Sequence, residues 1–358
     1  MNVYVFDRNM EMKGLIDSYK SIIWTTKYFE SGDFELYLNA TIENIDLLRE
    51  DYYLCREEDI SGDEYRNVMI IKNIRITTDE EQGNFLTVTG PSLKSIVGRR
   101  IVWEQTKLSG TVEAGIRRII TENIISPSIV ERKIDNFILS DVQNFTEKMD
   151  VQVTGKNIAE WLKKICVTYG IGWDVFIKGK LFVFYLWKGL DRSYNQTENS
   201  PVIFSDEFDN ILSSDYEMST ENFKNVALVA GEGEGLNRKT QVVGNASNLD
   251  RYELYVDSRD TSTNEGEITE AEYEKLLQEE GFESLSETII TESFEGSIEP
   301  NTTYILNEDY FLGDIVQVIN EYGISSSPRI IEIIDSEDDT GRTIIPTYST
   351  SVDLDLEV

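Results

Sequence analysis

With 358 residues the chain exceeds what one ordinary hydrophobic core holds, so two to four domains are expected, and 40% hydrophobic content suffices to bury them. Acidic residues number 66 against 33 basic ones, a net charge of -33, which disfavours free nucleic acid as a ligand because phosphate binding draws on clustered Lys and Arg. The absence of histidine excludes Ser-His-Asp and Cys-His nucleophiles and His-Glu-x-x-His zinc sites, leaving paired carboxylates as the remaining hydrolytic scheme.

Residues 1 to about 103 read as one β unit. Val3–Phe6 is a short strand, and the β-branched and aromatic run from Ile22 to Phe29 breaks at Ser31-Gly32-Asp33. It resumes as Phe34-Glu35-Leu36-Tyr37-Leu38, where Phe34, Leu36 and Leu38 share one face at the period of a half-buried strand. Residues 44–50 predict a helical turn. A hairpin pairs 67–77 with 85–90 across the polar turn 79–83, and Ser92 to Val97 opens a short helix.

From about 104 to 200 the texture changes. Val112, Gly115, Ile116, Ile119 and Ile120 fall on one face of an amphipathic helix over 111–123. A second helix over 157–169 places Ile158, Trp161, Leu162, Ile165 and Cys166 inward, and Gly170 and Gly172 stop it. The strands 173–177 and 180–187 turn at Lys178-Gly179. Helix, strand, helix and hairpin make a small α+β domain.

From Pro201 the chain returns to strands, with 210–217 and 225–230 expected to pair and 240–243 and 251–256 as further candidates. A helix over 269–281 has Glu270 and Glu272 in its first turn and Gly281 as its stop signal. It sits between strands, so roughly 262–300 reads as a small insertion. The closing tract Tyr310–Ile319, followed by Arg329–Ile334, mirrors the strand–turn–strand pattern near the N-terminus. The two tracts read as one β-structure interrupted in the middle.

Two loops invite a ligand and are more simply structural. In Gly231-Glu232-Gly233-Glu234-Gly235 position 236 is Leu, so the Gly-x-Gly-x-x-Gly spacing fails, and two glutamates would repel a phosphate. The stretch 335–341 carries calcium-type oxygens, but Gly341 is not at the sixth place and the terminal bidentate Glu is missing, so a charged hairpin tip is expected there. Gly313 permits a tight turn and Asp314 can bond its own backbone at the strand entry. Cys55 and Cys166 build no disulfide framework and read as small core residues of a protein made inside a cell. Residues 1–7 lack the basic start and apolar stretch of a signal peptide, and no run is long enough for a membrane anchor. No catalytic centre, cofactor or metal is expected.

Trp24 with Gly32-Asp33-Phe34, the hairpin 68–76 and 85–90, Gly90 to Arg100, then Phe311 with Gly313-Asp314, Arg329-Ile330-Ile331-Glu332 and Ile345-Pro346-Thr347 resemble, in order and spacing, the siphovirus tail-hub family. That family includes baseplate hubs and the N-terminal part of tail-associated lysins. The resemblance implies a β-rich α+β fold with two tail-tube-like β-barrel domains, at 1–103 and 201–355. The α+β domain 104–200 and the 262–300 insertion decorate them. Trp24, Gly32, Asp33, Phe34, Phe311, Gly313, Asp314 and Arg329 would be structural motif residues.

It further implies a homotrimer of pseudo-sixfold symmetry at the virion tail tip, beside a distal tail ring protein, a tape measure protein and fibre or receptor-binding proteins. Genomic DNA would meet the chain only in passage through an acidic lumen. Relatives often carry a C-terminal enzyme. This sequence stops at Val358, directly after the strands, so any such enzyme is expected on a separate protein. Two other classes stay open: a cell-wall glycan hydrolase using paired carboxylates, and a polysaccharide-binding module using exposed members of the 18 Tyr and 5 Trp.

Overall fold

The computed structural model describes residues 1–79, 83–211, 213–263, 268–288, 291–297 and 303–351. The expected turn at 79–83 and the 262–300 insertion therefore lie in part outside the described residues. The structure is β-rich, with several sheets and four α-helices among the described residues.

Alternation in the first tract builds its core. In Asp33–Asn39 every second residue is buried, and Phe34, Leu36 and Leu38 face Ile22, Trp24, Leu86 and Val88. A four-stranded sheet holding Val3–Phe6 and Tyr53–Arg56 covers that face with Val3, Val5 and Leu54. The second β core, around Phe204, Tyr310, Val316, Val318 and Ile330, gathers residues from 202 to 348.

These two cores lie on one sheet. Arg329–Asp338 pairs antiparallel with Ser21–Lys27, in a register running from Glu332 opposite Lys27 to Asp338 opposite Ser21. The first and last tracts thus form a twelve-stranded sheet, running from Ser213–Ser219 at one end to Asn73–Asp79 at the other. Strand pairing crosses the expected division between 1–103 and 201–355. The strand order among the described residues is open and does not return to its first strand.

Helices α1 (Ile42–Leu47), α2 (Val112–Ile120) and α3 (Ile158–Tyr169) start where capping side chains stand: Thr41, Thr111 and Asn157 each accept a backbone N–H of the first turn. Gly170, in the left-handed region at φ 62°, ends α3. The apolar faces of α2 and α3 meet in one core with Trp173, Val175 and Phe184 of the hairpin Gly172–Lys178 and Leu181–Trp187.

Residues 226–288 depart from the expected pairing. Ser213–Ser219 pairs with Thr291–Ser297, and Val226–Ala230 instead joins Thr240–Val243 and, in parallel, Glu253–Asp257. Helix α4 (Glu270–Ser286) packs on this three-stranded sheet, burying Tyr273, Leu277 and Leu285 against Ala227, Val229 and Val243. The insertion therefore carries its own sheet and begins well before 262. Sequence adjacency favoured a 210–230 hairpin, but Ala227 and Val229 are buried against helix α4 instead.

Gly281 does not stop α4, which continues to Ser286. A Cβ at Gly281 would stand 2.5 Å from Val243 Cγ2 and 2.9 Å from Val229 Cγ2, so the glycine serves close helix–sheet approach.

Candidate functional site

Three segments that the sequence keeps far apart meet at Tyr28. This residue directly follows the Ser21–Lys27 strand and is fully buried. Its hydroxyl donates toward the carbonyls of Gly170 (3.2 Å) and Trp187 (3.1 Å), and accepts from Gly189 N at 3.2 Å. Its ring fits because Gly172 and Gly313 carry no side chain: a Cβ on either would come within 2.3 Å of Tyr28 Cε2. Gly313 also holds φ +98°, which L side chains rarely adopt. Burial raises the phenol above its ordinary value, with Arg329 opposing, so it stays a neutral donor. Arg329 lies 5.5 Å over the ring and donates to Gly313 O at 2.6 Å.

Asp314 fastens the same junction. Its carboxylate accepts from Leu190 N at 2.7 Å, Arg192 Nε at 2.8 Å and Phe311 N at 3.0 Å. The local turn bond expected from the sequence is present, joined by two bonds to the middle segment. Lys94, buried in the N-terminal segment, donates to the carbonyls of Lys27, Tyr28 and Glu30, with its ammonium 5.2 Å from the Trp173 ring. Burial pulls it down to about 8, opposed by Asp174.

Beside the junction lies a cavity of about 400 Å³, lined by Trp24, Asp174, Tyr185, Trp187, Phe311 and Asp335 among others. Asp174 Oδ1 accepts its neighbour's N–H from Val175 at 2.7 Å, and burial raises the carboxyl above its usual range. At the cavity edge the two terminal tracts are riveted by charge. Arg56 donates to Asp59 and to Asp335 at 2.6 Å each, and Arg342 donates to Asp335 at 2.6 and 2.9 Å and to Glu58 at 2.6 and 3.0 Å. Asp335 stands opposite Trp24 in the strand register, and Arg56 lies 5.4 Å over that indole. Asp335 is thus a buried strand residue and no part of an exposed hairpin tip.

The residues singled out from the sequence fall in two places. Gly313 and Arg329 pack against Tyr28, Asp314 ties the same turn to Leu190 and Arg192, and Phe311 lines the cavity beside it. Trp24 and Phe34 are core neighbours with ring centroids 5.8 Å apart, and Trp24 Nε1 donates to Asn67 O at 3.1 Å. Gly32 donates to Ser92 Oγ at 3.1 Å, and a Cβ there would collide with Thr25 O. Asp33 is exposed at the strand start. Sequence reasoning missed Tyr28, Arg56, Lys94, Asp335 and Arg342. Their only local signal is a charged or hydroxyl-bearing side chain inside an apolar run, as with Asp335 after Ile333-Ile334 and Arg56 after Leu54-Cys55.

Chemically this arrangement fixes segments against one another. Asp59 and Asp335 are both committed to guanidinium groups, and burial pushes the thiols of Cys55 and Cys166 well up. Among the described residues no group of three His, Cys, Asp or Glu side chains is placed to hold a metal ion, and no helix is long and apolar enough to cross a membrane.

Comparison with known proteins places the whole arrangement. The family model described as Siphovirus ReqiPepy6 Gp37-like protein matches residues 2–348. Among solved structures, the prophage MuSo2 43 kDa tail protein from Shewanella oneidensis superposes with a TM-score of 0.58 at 15% identity, covering 98% of this chain and 99% of that one. A tail protein from Neisseria meningitidis MC58 gives 0.57 at 14% identity, covering 97% and 96%. The prophage tail protein gp18 from Listeria monocytogenes EGD-e gives 0.52 at 14% identity, covering 97% and 94%. At these identities the likeness establishes the fold. No curated protein sequence matches significantly.

Proposed function

The chain belongs to the Siphovirus ReqiPepy6 Gp37-like family of siphovirus tail proteins, and from that premise we propose that it is a non-enzymatic structural hub at the tail tip. In this reading three copies form a ring that continues or closes the tail tube and anchors the host-recognition apparatus. The observation that carries it is the shared sheet: two β cores of one chain sit on a single twelve-stranded sheet, locked at Tyr28 and at the Arg56–Asp335 pair. Two tube-like β domains per chain, 1–103 and 201–355, give a trimer the six positions that a sixfold tube requires. The segment 104–200 and the module around α4 then decorate the ring.

The net charge of -33 suits a channel wall past which DNA must move without sticking. Neighbouring distal-tail, tape-measure and fibre proteins are the expected partners.

Electron microscopy of the purified chain, alone and with its neighbouring tail proteins, tests this. Threefold particles with an acidic channel are expected. A two-fold dimer that buries the sheet edges, or a ring with a basic channel, would refute it.

A further inference from the structure

In this acidic chain most arginines are spent on carboxylates, among them Arg8, Arg56, Arg192, Arg238 and Arg342. Arg99, Arg100 and Arg132 are different. They line one groove of about 340 Å³, and none of them pairs with a carboxylate within 4.0 Å among the described residues. Their hydrogen bonds run to backbone or amide oxygens. Arg100 donates to Arg132 O at 2.6 Å and Arg99 O at 3.0 Å, and Arg132 donates to Ile101 O at 2.6 Å and Asn123 Oδ1 at 3.3 Å. Arg99 extends into solvent.

The floor between these charges is apolar and open. Trp103 is 53% exposed with Arg132 stacked 4.9 Å over its ring, and Ile101 and Ile129 are each 38% exposed. Burial and then the charge of Arg100 hold the Arg132 guanidinium below its ordinary value, with Glu104 opposing, so three guanidinium groups outnumber the carboxylates at the groove. Glu131 lines the groove, and Glu104, which accepts from Ser128 Oγ at 2.8 Å, lies near enough to act on Arg132.

We infer that this groove docks an acidic peptide segment of a neighbouring protein, with carboxylates on the three arginines and an aliphatic side chain on Trp103. Charge complementarity selects that occupant. Arginine and tryptophan are the side chains that dominate protein interfaces, and planar guanidinium groups match carboxylates two bonds at a time. The glutamates at the groove oppose any anion alike, but the long-range repulsion of a chain at -33 grows with the charge and length of the ligand, so a nucleic acid is disfavoured against a short acidic segment. The inference goes beyond the hub reading and stands on the groove alone.

Calorimetric titration of the full chain with an end-blocked octapeptide alternating Asp and Leu tests it. Binding is expected, weakening as salt rises, and becoming about tenfold weaker in Arg99→Glu and in Trp103→Ala. Arg99→Glu removes no hydrogen bond of the fold, so its loss of affinity does not reflect unfolding. An Asn-Leu octapeptide should not bind. The inference is overturned by no binding of the Asp-Leu peptide up to about 1 mM, by equal binding of the Asn-Leu peptide, or by unchanged affinity in both variants. Tighter binding of an oligothymidylate of equal charge would make the groove a nucleic-acid site and would equally overturn it.

Discussion

Replacing Asp335 with alanine removes the carboxylate that ties the last tract to the first. Asp335 is 3% exposed and accepts three charge-assisted bonds, one from Arg56 and two from Arg342. Such bonds contribute about 1.5–3 kcal/mol each when counted singly, but they share one carboxylate and do not add. Removing one partner of a buried pair costs about 3–5 kcal/mol, chiefly because the other charge is left buried. Arg56 keeps Asp59, and Arg342 keeps Glu58 and is one-third exposed, so the lower end, about 3 kcal/mol, is expected.

Urea unfolding of wild type, Asp335→Ala, Arg56→Met and the double variant gives the pair's coupling directly. It should be about 1.5–3 kcal/mol, against about 0.3–0.5 kcal/mol for the exposed helical pair Arg118–Glu122. Additivity of the two single changes to within about 0.5 kcal/mol would refute both the rivet and the strand register that places Asp335 against Trp24.

Two further outcomes concern the module around α4. Glu283 faces Glu280 on its own helix, Glu287 just past the helix end and Lys164 on α3, with Lys156 nearby; Glu279 on the same helix faces Asp150, and Glu280 faces Asp260. Burial, then Glu280, pushes Glu283 up to about 7, so the folded state holds its proton more tightly than the unfolded chain. That stability is fully present below the ordinary carboxylate range and is lost as pH rises through 7, an effect of up to about 3 kcal/mol. Hydrogen exchange in 226–288 should therefore quicken from pH 5 to pH 8 beyond its intrinsic rise, and Glu283→Gln should flatten that change; exchange with no such excess would refute the assignment. Gly281→Ala gains about 1 kcal/mol of helix propensity, but its methyl meets Val243 and Val229, where overpacking costs about 1–3 kcal/mol. A net loss of stability is expected in thermal unfolding, and a gain would contradict the close helix–sheet contact.

What the sequence determined by itself is what short-range periodicity and capping encode. The 3.6-residue pattern of 111–123 and 157–169, the two-residue alternation of 34–38, and Gly170 as a helix stop each follow from which neighbours share a face, and the structure keeps them, except that α2 gives way to a π-helical turn at Thr121–Ile125. Composition added the acidic balance, and the order of the terminal motifs added the family. The likeness of the two end tracts pointed to one interrupted β-structure, which the Ser21–Lys27 and Arg329–Asp338 pairing makes literal.

Only the tertiary structure decided which distant residues meet. Arg56 and Asp335 are 279 positions apart, and with 66 acidic side chains in the sequence nothing local tells an arginine which carboxylate it will bury. Tyr28 reads as one more aromatic strand residue until Gly172 and Gly313, from two distant segments, close on its ring. Gly281 reads as a helix stop because Gly usually is one, and only a sheet packed within 3 Å of its missing side chain makes it a helix interior. Periodicity fixes a face, whereas the partner of that face is chosen by long-range packing, which a local pattern does not carry.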